Sequence, residues 1–189
     1  MKEIFWTVQL INVPTVVRYC KRCNANSEFV SSGCFRVNAQ QKNLDVWLIY
    51  KCLSCDATWN LTILSRVSPR SIPEDQLHGF YENDSDMAIR YANDIALIKR
   101  QGGNPMQPEI EIVGPNVDPD EPVRICITPA MPLNIKAEVV IRKKLGLSRG
   151  EFDKMQQNGI LVSVSGHDIK KCKLSGEIVF ELRQSLDVD

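Results

Sequence analysis

Three features of the 189-residue sequence predict an α+β protein in consecutive parts. Two C-x2-C pairs sit among alternating apolar residues. A helical stripe follows them, and a helix–turn–helix with a hairpin pattern ends the chain. The expected order is an N-terminal four-cysteine zinc ribbon on a small antiparallel sheet over 1–70, then a helical connector over 71–103. A strand pair with the helix–turn–helix and hairpin follows over 104–183, and 184–189 form a tail.

The ribbon is read from period-two patterning. Phe35, Val37 and Ala39 alternate with polar residues, as do Leu44, Val46, Leu48 and Tyr50, and then Trp59, Leu61 and Ile63. Three short strands result. Cys20 and Cys23 in VVRYCKRCNAN precede them, and Cys52 and Cys55 in LIYKCLSCDATWNL interrupt them, with twenty-eight residues between the pairs. Each pair closes a tight turn whose sulfurs face one ion, and four thiolates satisfy tetrahedral Zn²⁺ with no open position. A redox dithiol needs a C-x-x-C entering a helix in a βαβ setting, which these flanks do not offer. Zn²⁺ on Cys20, Cys23, Cys52 and Cys55 is therefore the expected cofactor site. Of the other three cysteines, Cys34 is expected to be small and partly buried, and Cys126 and Cys172 to lie in strands without chemistry.

Beyond Pro69 and Pro73 a short helix is expected over 74–80. A longer one is expected over 84–101, where Met87, Tyr91, Ile95 and Ile98 share a face, Asp84 or Ser85 caps the start and Gly102-Gly103 ends it. Strands near 109–113 and 123–128 flank the turn-rich GPNVDPDEP, whose Asp118, Asp120 and Glu121 lack the glycine and distal glutamate of a calcium loop. A boundary falls near 103–108. From Ile135 a helix runs to Leu145-Gly146. Ser148-Arg149-Gly150-Glu151 then forms a capping box that starts another, ended by Gly159. Strands at 160–165 and 177–182 complete the pattern. Gly146-Leu147-Ser148-Arg149-Gly150 matches the serine-hydrolase elbow, but a helix rather than a buried strand precedes the serine.

Lys+Arg and Asp+Glu balance at 23 each, yet the charge is unevenly spread. The net is +5 over 14–70, −3 over 71–103, −4 over 104–129 and +4 over 136–183. Arg142, Lys143, Lys144 and Arg149 cluster at the helix–turn–helix, and Lys170 and Lys171 lie across the hairpin. A basic surface of this kind suits phosphate contacts.

The stretch SSGCFRVNAQQKNLDVWLIYKCLSCDATWNLTI, with YCKRC before it, resembles the bacterial domain-of-unknown-function family 1062, and the likeness extends over nearly the whole chain. It implies no activity. Separately, LGLSRGEFDKMQQNGILVSVSGHDIKKCKLSGEIVFEL is similar to the alpha-L RNA-binding motif. Leu145, Ser148-Arg149, Phe152, Gly159, Gly166 and the LSGEIVFEL arm match, whereas the motif's opening Arg-Leu-Asp is absent.

The expectation is a zinc-binding, non-catalytic protein that binds structured RNA, ribosomal or transfer, through Arg142, Lys143, Lys144, Arg149, Lys170 and Lys171. Trp47, Trp59 or Arg36 on the ribbon would add a stacking contact if exposed, but burial of both tryptophans is the expectation. The alternative is a zinc-ribbon adaptor for a protein partner. Catalysis is disfavoured: the sulfur site is closed, only His78 and His167 offer imidazoles, and no phosphate-cradling loop is present. The first residues lack a secretory pattern and no run is long enough to span a bilayer, so a cytoplasmic location is expected.

Overall fold

In a computed structural model, residues 1–40, 43–118 and 121–184 are described. They form ten strands and five α-helices in two five-stranded sheets. The chain divides into two compact units, Ile11–Glu109 on one hand and residues 1–10 with the segment from Ile110 onward on the other.

The second of these is built on a sheet of β1 (Lys2–Leu10), β7 (Ile110–Val113), β8 (Val123–Pro129), β9 (Leu161–Ser163) and β10 (Ile178–Leu182), in the order β7-β1-β8-β10-β9. Ile4, Trp6 and Val8 alternate along β1 and are buried, while Glu3, Phe5 and Thr7 point the other way. Two helices, α4 (Ala137–Leu145) and α5 (Arg149–Gln157), bring Val140, Ile141 and Phe152 into the same core as Ile125, Ile127 and Phe180. Each of those three helix residues is fully buried. Removing such side chains from water stabilises by about 1.5–3 kcal/mol apiece.

Residues 1–10 therefore depart from the expected ribbon boundary. β1 runs parallel to β8, with Ile4 opposite Ile125 and Trp6 opposite Ile127, and antiparallel to β7. A ribbon sheet offers this apolar stripe no partner, whereas the later strands carry matching stripes. The helix–turn–helix and hairpin are likewise not self-contained, because β10 pairs with β8 as well as β9. Between β9 and β10 the chain closes on buried Ile169 and Leu174.

The other unit holds β2 (Val16–Cys20), β3 (Ala25–Gln40), β4 (Asn43–Cys52), β5 (Thr58–Val67) and the two-residue β6 (Asn104–Pro105), ordered β5-β4-β3-β2-β6. The ribbon has more and longer strands than the three short ones expected. β3 is long enough to pair with β2 from Ala25 to Phe29 and with β4 from Phe29 onward, with a register shift between Ser31 and Phe35. Leu44, Val46, Leu48, Tyr50 and Leu61 form its core.

Helices α1 (Glu74–Glu82), α2 (Ser85–Ala92) and α3 (Ile95–Arg100) cover part of this core with Phe80, Met87, Ala88 and Ile98. The single helix expected over 84–101 is broken at Asn93-Asp94. The Asp94 carboxylate accepts from the Leu97 amide and starts a new helix, while the Asn93 side chain donates to the Ile89 carbonyl. Short polar side chains compete with helix continuation in this way. Asp84 caps α2 by accepting from the Met87 amide.

Cys126 lies in β8, but Cys172 is in a turn rather than a strand, its amide donating to the Asp168 carbonyl. Residues 119 and 120 of the acidic turn and 185–189 of the tail lie outside the described residues.

Candidate metal centre

Each C-x2-C pair is the turn of a hairpin. β2 ends at Cys20 and β3 starts at Ala25; β4 ends at Cys52 and β5 starts at Thr58. Because β3 pairs with both β2 and β4, the two hairpins lie side by side. Phe29 stands opposite Val16 on one flank and Cys52 on the other, which sets both tips at the same end of the sheet. The Leu53 amide donates to the Glu28 carbonyl at 2.9 Å and ties the second tip to β3.

The two turns repeat one backbone device. The residue after the second cysteine of each pair, Asn24 and Asp56, has a positive φ, 55° and 61° respectively. Asn and Asp tolerate this left-handed conformation better than most side chains. It turns the chain back into the next strand while the sulfurs converge.

All four Sγ atoms lie within 4.8 Å of one another. Cys20 and Cys55 are 3.5 Å apart across the hairpins, and Cys23 and Cys52 are 3.9 Å apart. Tetrahedral Zn–S bonds of about 2.3 Å require sulfurs roughly 3.8 Å apart. Cys20 and Cys52 are buried and Cys23 and Cys55 half-buried. The geometry suits one metal ion, with all four positions taken by sulfur.

The thiols titrate against each other. The Cys23 amide, aided by the Cys55 thiol and the Arg22 amide against the cost of burial, holds Cys20 below the ordinary thiol range. Burial opposes ionisation of Cys52, but the amides of Ser54 and Cys55 and the neighbouring thiols outweigh it and pull that group down. Cys55 and Cys23 move up. At Cys55 the Ala57 amide favours the thiolate, yet burial and the three other sulfurs prevail. At Cys23 the Cys55 thiol and Ser27 favour ionisation but lose to burial and to Cys20 and Cys52. Four thiolates at this spacing cannot all ionise without a cation among them.

Cys34 is not in the cluster and is exposed rather than partly buried, its Sγ 3.7 Å from the Ser32 carbonyl. Ser148 is the N-cap of α5. Its hydroxyl accepts from the Glu151 amide while the Glu151 carboxylate accepts from its own amide, the capping box expected from sequence. Both histidines are exposed.

Each of the six C-terminal cations has a partner within the chain. The Lys143 ammonium donates to the Ile110 carbonyl at 2.7 Å, and Lys144 donates to the carbonyls of Ile112 and Gly114. These alternate carbonyls belong to the outer edge of β7, so the two lysines occupy acceptors that a foreign strand would need. Arg142 and Arg149 approach Glu138 at 3.5 and 3.9 Å, Lys170 pairs with Asp153 at 2.7 Å and Lys171 with Asp168 at 3.5 Å. Arg149 and Lys171, with side chains 78% and 85% exposed, project mainly into solvent, and Lys143 is exposed as well. Of the candidate stacking residues, Trp47 lies under Arg36 at 6.0 Å and Trp59 under Arg18 at 4.1 Å.

Arg18 is the residue that sequence reasoning passed over. Val16, Arg18 and Cys20 are at alternate positions of β2 and share its inward face, with Val16 and Cys20 buried. A cation in an apolar alternation ending at a metal ligand was a visible signal.

No helix among the described residues is long and apolar enough to cross a membrane. No curated protein and no solved structure matches the chain, and nothing in the comparisons returns the alpha-L motif. The family model described as a protein of unknown function (DUF1062) matches residues 37–167, more than half of the sequence, and the chain therefore belongs to that family.

Proposed function

We propose that Cys20, Cys23, Cys52 and Cys55 bind one Zn²⁺ as a structural tetrathiolate, and that the protein is a non-catalytic binding module organised by that ion. The convergence of four sulfurs from two hairpin tips carries this reading. A tetrahedral all-thiolate set suits borderline-soft Zn²⁺, and metal analysis separates it from iron, which takes the same ligands. A closed set leaves the ion no position for substrate or water, which favours a structural role over a hydrolytic one.

Metal analysis of the purified protein is expected to give one zinc per chain, and Cys52→Ser with Cys55→Ser to lose it. Cobalt substitution is expected to give the intense thiolate-to-metal band of a tetrahedral site. A double variant that keeps its full zinc content excludes the assignment.

As to what the module binds, the ammonium groups of Lys143 and Lys144 are engaged at a strand edge and Arg142 and Lys170 pair with carboxylates, which leaves Arg149 and Lys171 as the cations of the proposed RNA surface whose side chains are more than three-quarters exposed. A protein partner is therefore the better reading. Exposed Tyr19 and Leu53, on the strand and turn that carry the ligands, give such a partner apolar footing. Nuclease-treated pull-downs separate the two: a partner that survives digestion supports the adaptor reading, and one that disappears with the RNA overturns it.

A further inference from the structure

Adjoining the four cysteines, and sharing Cys20 with them, is a basic cleft whose cations the metal ion would not use. The cleft, of about 470 Å³, is lined by Arg18, Lys21 and Arg22, by the aromatic residues Phe29 and Trp59 and by Cys20 of the cluster, among others, and no carboxylate lines it. We propose that this cleft is an oxyanion-binding site, taking the phosphate or carboxylate group of a ligand whose apolar body rests on the aromatic wall at half-buried Trp59, behind which Phe29 is buried.

Four observations support this. The Arg18 guanidinium carbon lies over the Trp59 ring, 4.1 Å from its centre, and 5.9 Å from that of Phe29, contacts that restrain the side chain before any ligand arrives. Its Nη1 is buried without a hydrogen-bond partner. That nitrogen has no exposed surface, so what Arg18 offers the cleft is the rest of its guanidinium, a planar set of donors suited to phosphate and carboxylate oxygens. Third, the charge balance holds even with metal bound. A divalent ion on four thiolates carries 2−, whereas Arg18, Lys21 and Arg22 carry 3+, so the cleft keeps a positive surplus. Finally, Lys21 and Arg22 belong to the first hairpin turn, and Arg22 is held by donating to the Cys55 carbonyl at 3.0 Å. The second hairpin turn thereby holds Arg22 in place.

The sharpest competing account gives Arg18 one task, neutralising the thiolate cluster. The two accounts differ in whether the zinc-loaded protein binds anions. Isothermal titration of that protein at low salt with inorganic phosphate, phenyl phosphate and benzoate tests the difference. Saturable binding is expected, with phenyl phosphate tighter than inorganic phosphate because the ring adds contact with the aromatic wall. The ratio of phenyl phosphate to benzoate tells which oxyanion the cleft prefers. Arg18→Gln is expected to weaken binding by about tenfold or more, as loss of charged hydrogen bonds does, and Arg18→Lys to restore only part because the planar donor set is gone.

If Arg18→Gln also loses zinc, the exposed Lys21→Glu provides a second variant that leaves the core intact. It is expected to weaken the same titration with zinc content unchanged. Absence of saturable binding for all three anions overturns the proposal. So does binding that neither Arg18→Gln nor Lys21→Glu alters, or zinc loss from Arg18→Gln in a protein whose wild type binds no anion.

Discussion

The two units solve the same problem by different means. The sheet of β1, β7, β8, β9 and β10 is covered by α4 and α5, and its core of Trp6, Ile125, Ile127, Ile141, Phe152 and Phe180 needs nothing but side chains. The sheet of β2 to β6 has helical cover over Phe80, Met87 and Ile98, but its far end closes on Cys20 and Cys52 with half-buried Cys23 and Cys55. There the turns converge on four sulfurs rather than on apolar side chains, and the proposed ion would stand in for a core. Stability is therefore expected to be regional, with one unit answering to chelators and the other to cavity mutations.

The largest test of that contrast is metal removal. Binding of structural zinc supplies on the order of 10–16 kcal/mol in small domains. A strong chelator, or the Cys52→Ser and Cys55→Ser pair, is expected to abolish amide protection in β2, in the start of β3 and around the second knuckle. Protection in β1, β8 and β10 is expected to persist. Equal loss in both units breaks the comparison.

Next comes Phe152→Ala, which empties a fully buried site under the helix-covered sheet. A cost of about 3–5 kcal/mol is expected for such a truncation, read as a lower denaturant midpoint for that unit. Zinc stoichiometry is expected to stay at that of the wild type. Ser148→Ala removes one half of the capping box and is expected to cost about 1 kcal/mol, again with zinc retained.

The smallest effect concerns pH. Arg124, with its guanidinium 2.7 Å away, and Arg183, at 2.9 Å, hold the Glu181 carboxyl below the ordinary glutamate range despite its burial. The folded value lies below the unfolded one, so the pairing adds stability above a pH of about 4.3 and loses it as pH falls through the folded value. A carboxyl-carbon NMR titration is expected to place the Glu181 midpoint under that of an unpaired glutamate. Arg124→Gln is expected to raise it.

Much of this was open to reading along the chain. Cysteine spacing and period-two flanks located the knuckles, because a metal turn is a local device that needs its residues within a few positions of each other. The capping box at Ser148 and the Asp84 cap were legible for the same reason. The break at Asn93-Asp94 was available too, since Asp94 offers a cap inside the helical stripe, but Met87, Tyr91, Ile95 and Ile98 masked it by keeping one period across the break. The alternation of Ile4, Trp6 and Val8 was equally plain, yet it names a strand and not its neighbour.

By itself, then, the sequence determined which four sulfurs gather, where most helices start and that the protein mixes helix with sheet, all through contacts or periods that span a few residues. Tertiary structure alone decided that residues 1–10 join strands more than a hundred positions away. It also decided that Lys143 and Lys144 serve a sheet edge, and that Arg18 lies over Trp59 with one nitrogen unsatisfied beside the metal site. The physical reason is that an alternating stripe or a cluster of cations has many equally good partners on paper, and only packing the whole chain selects one.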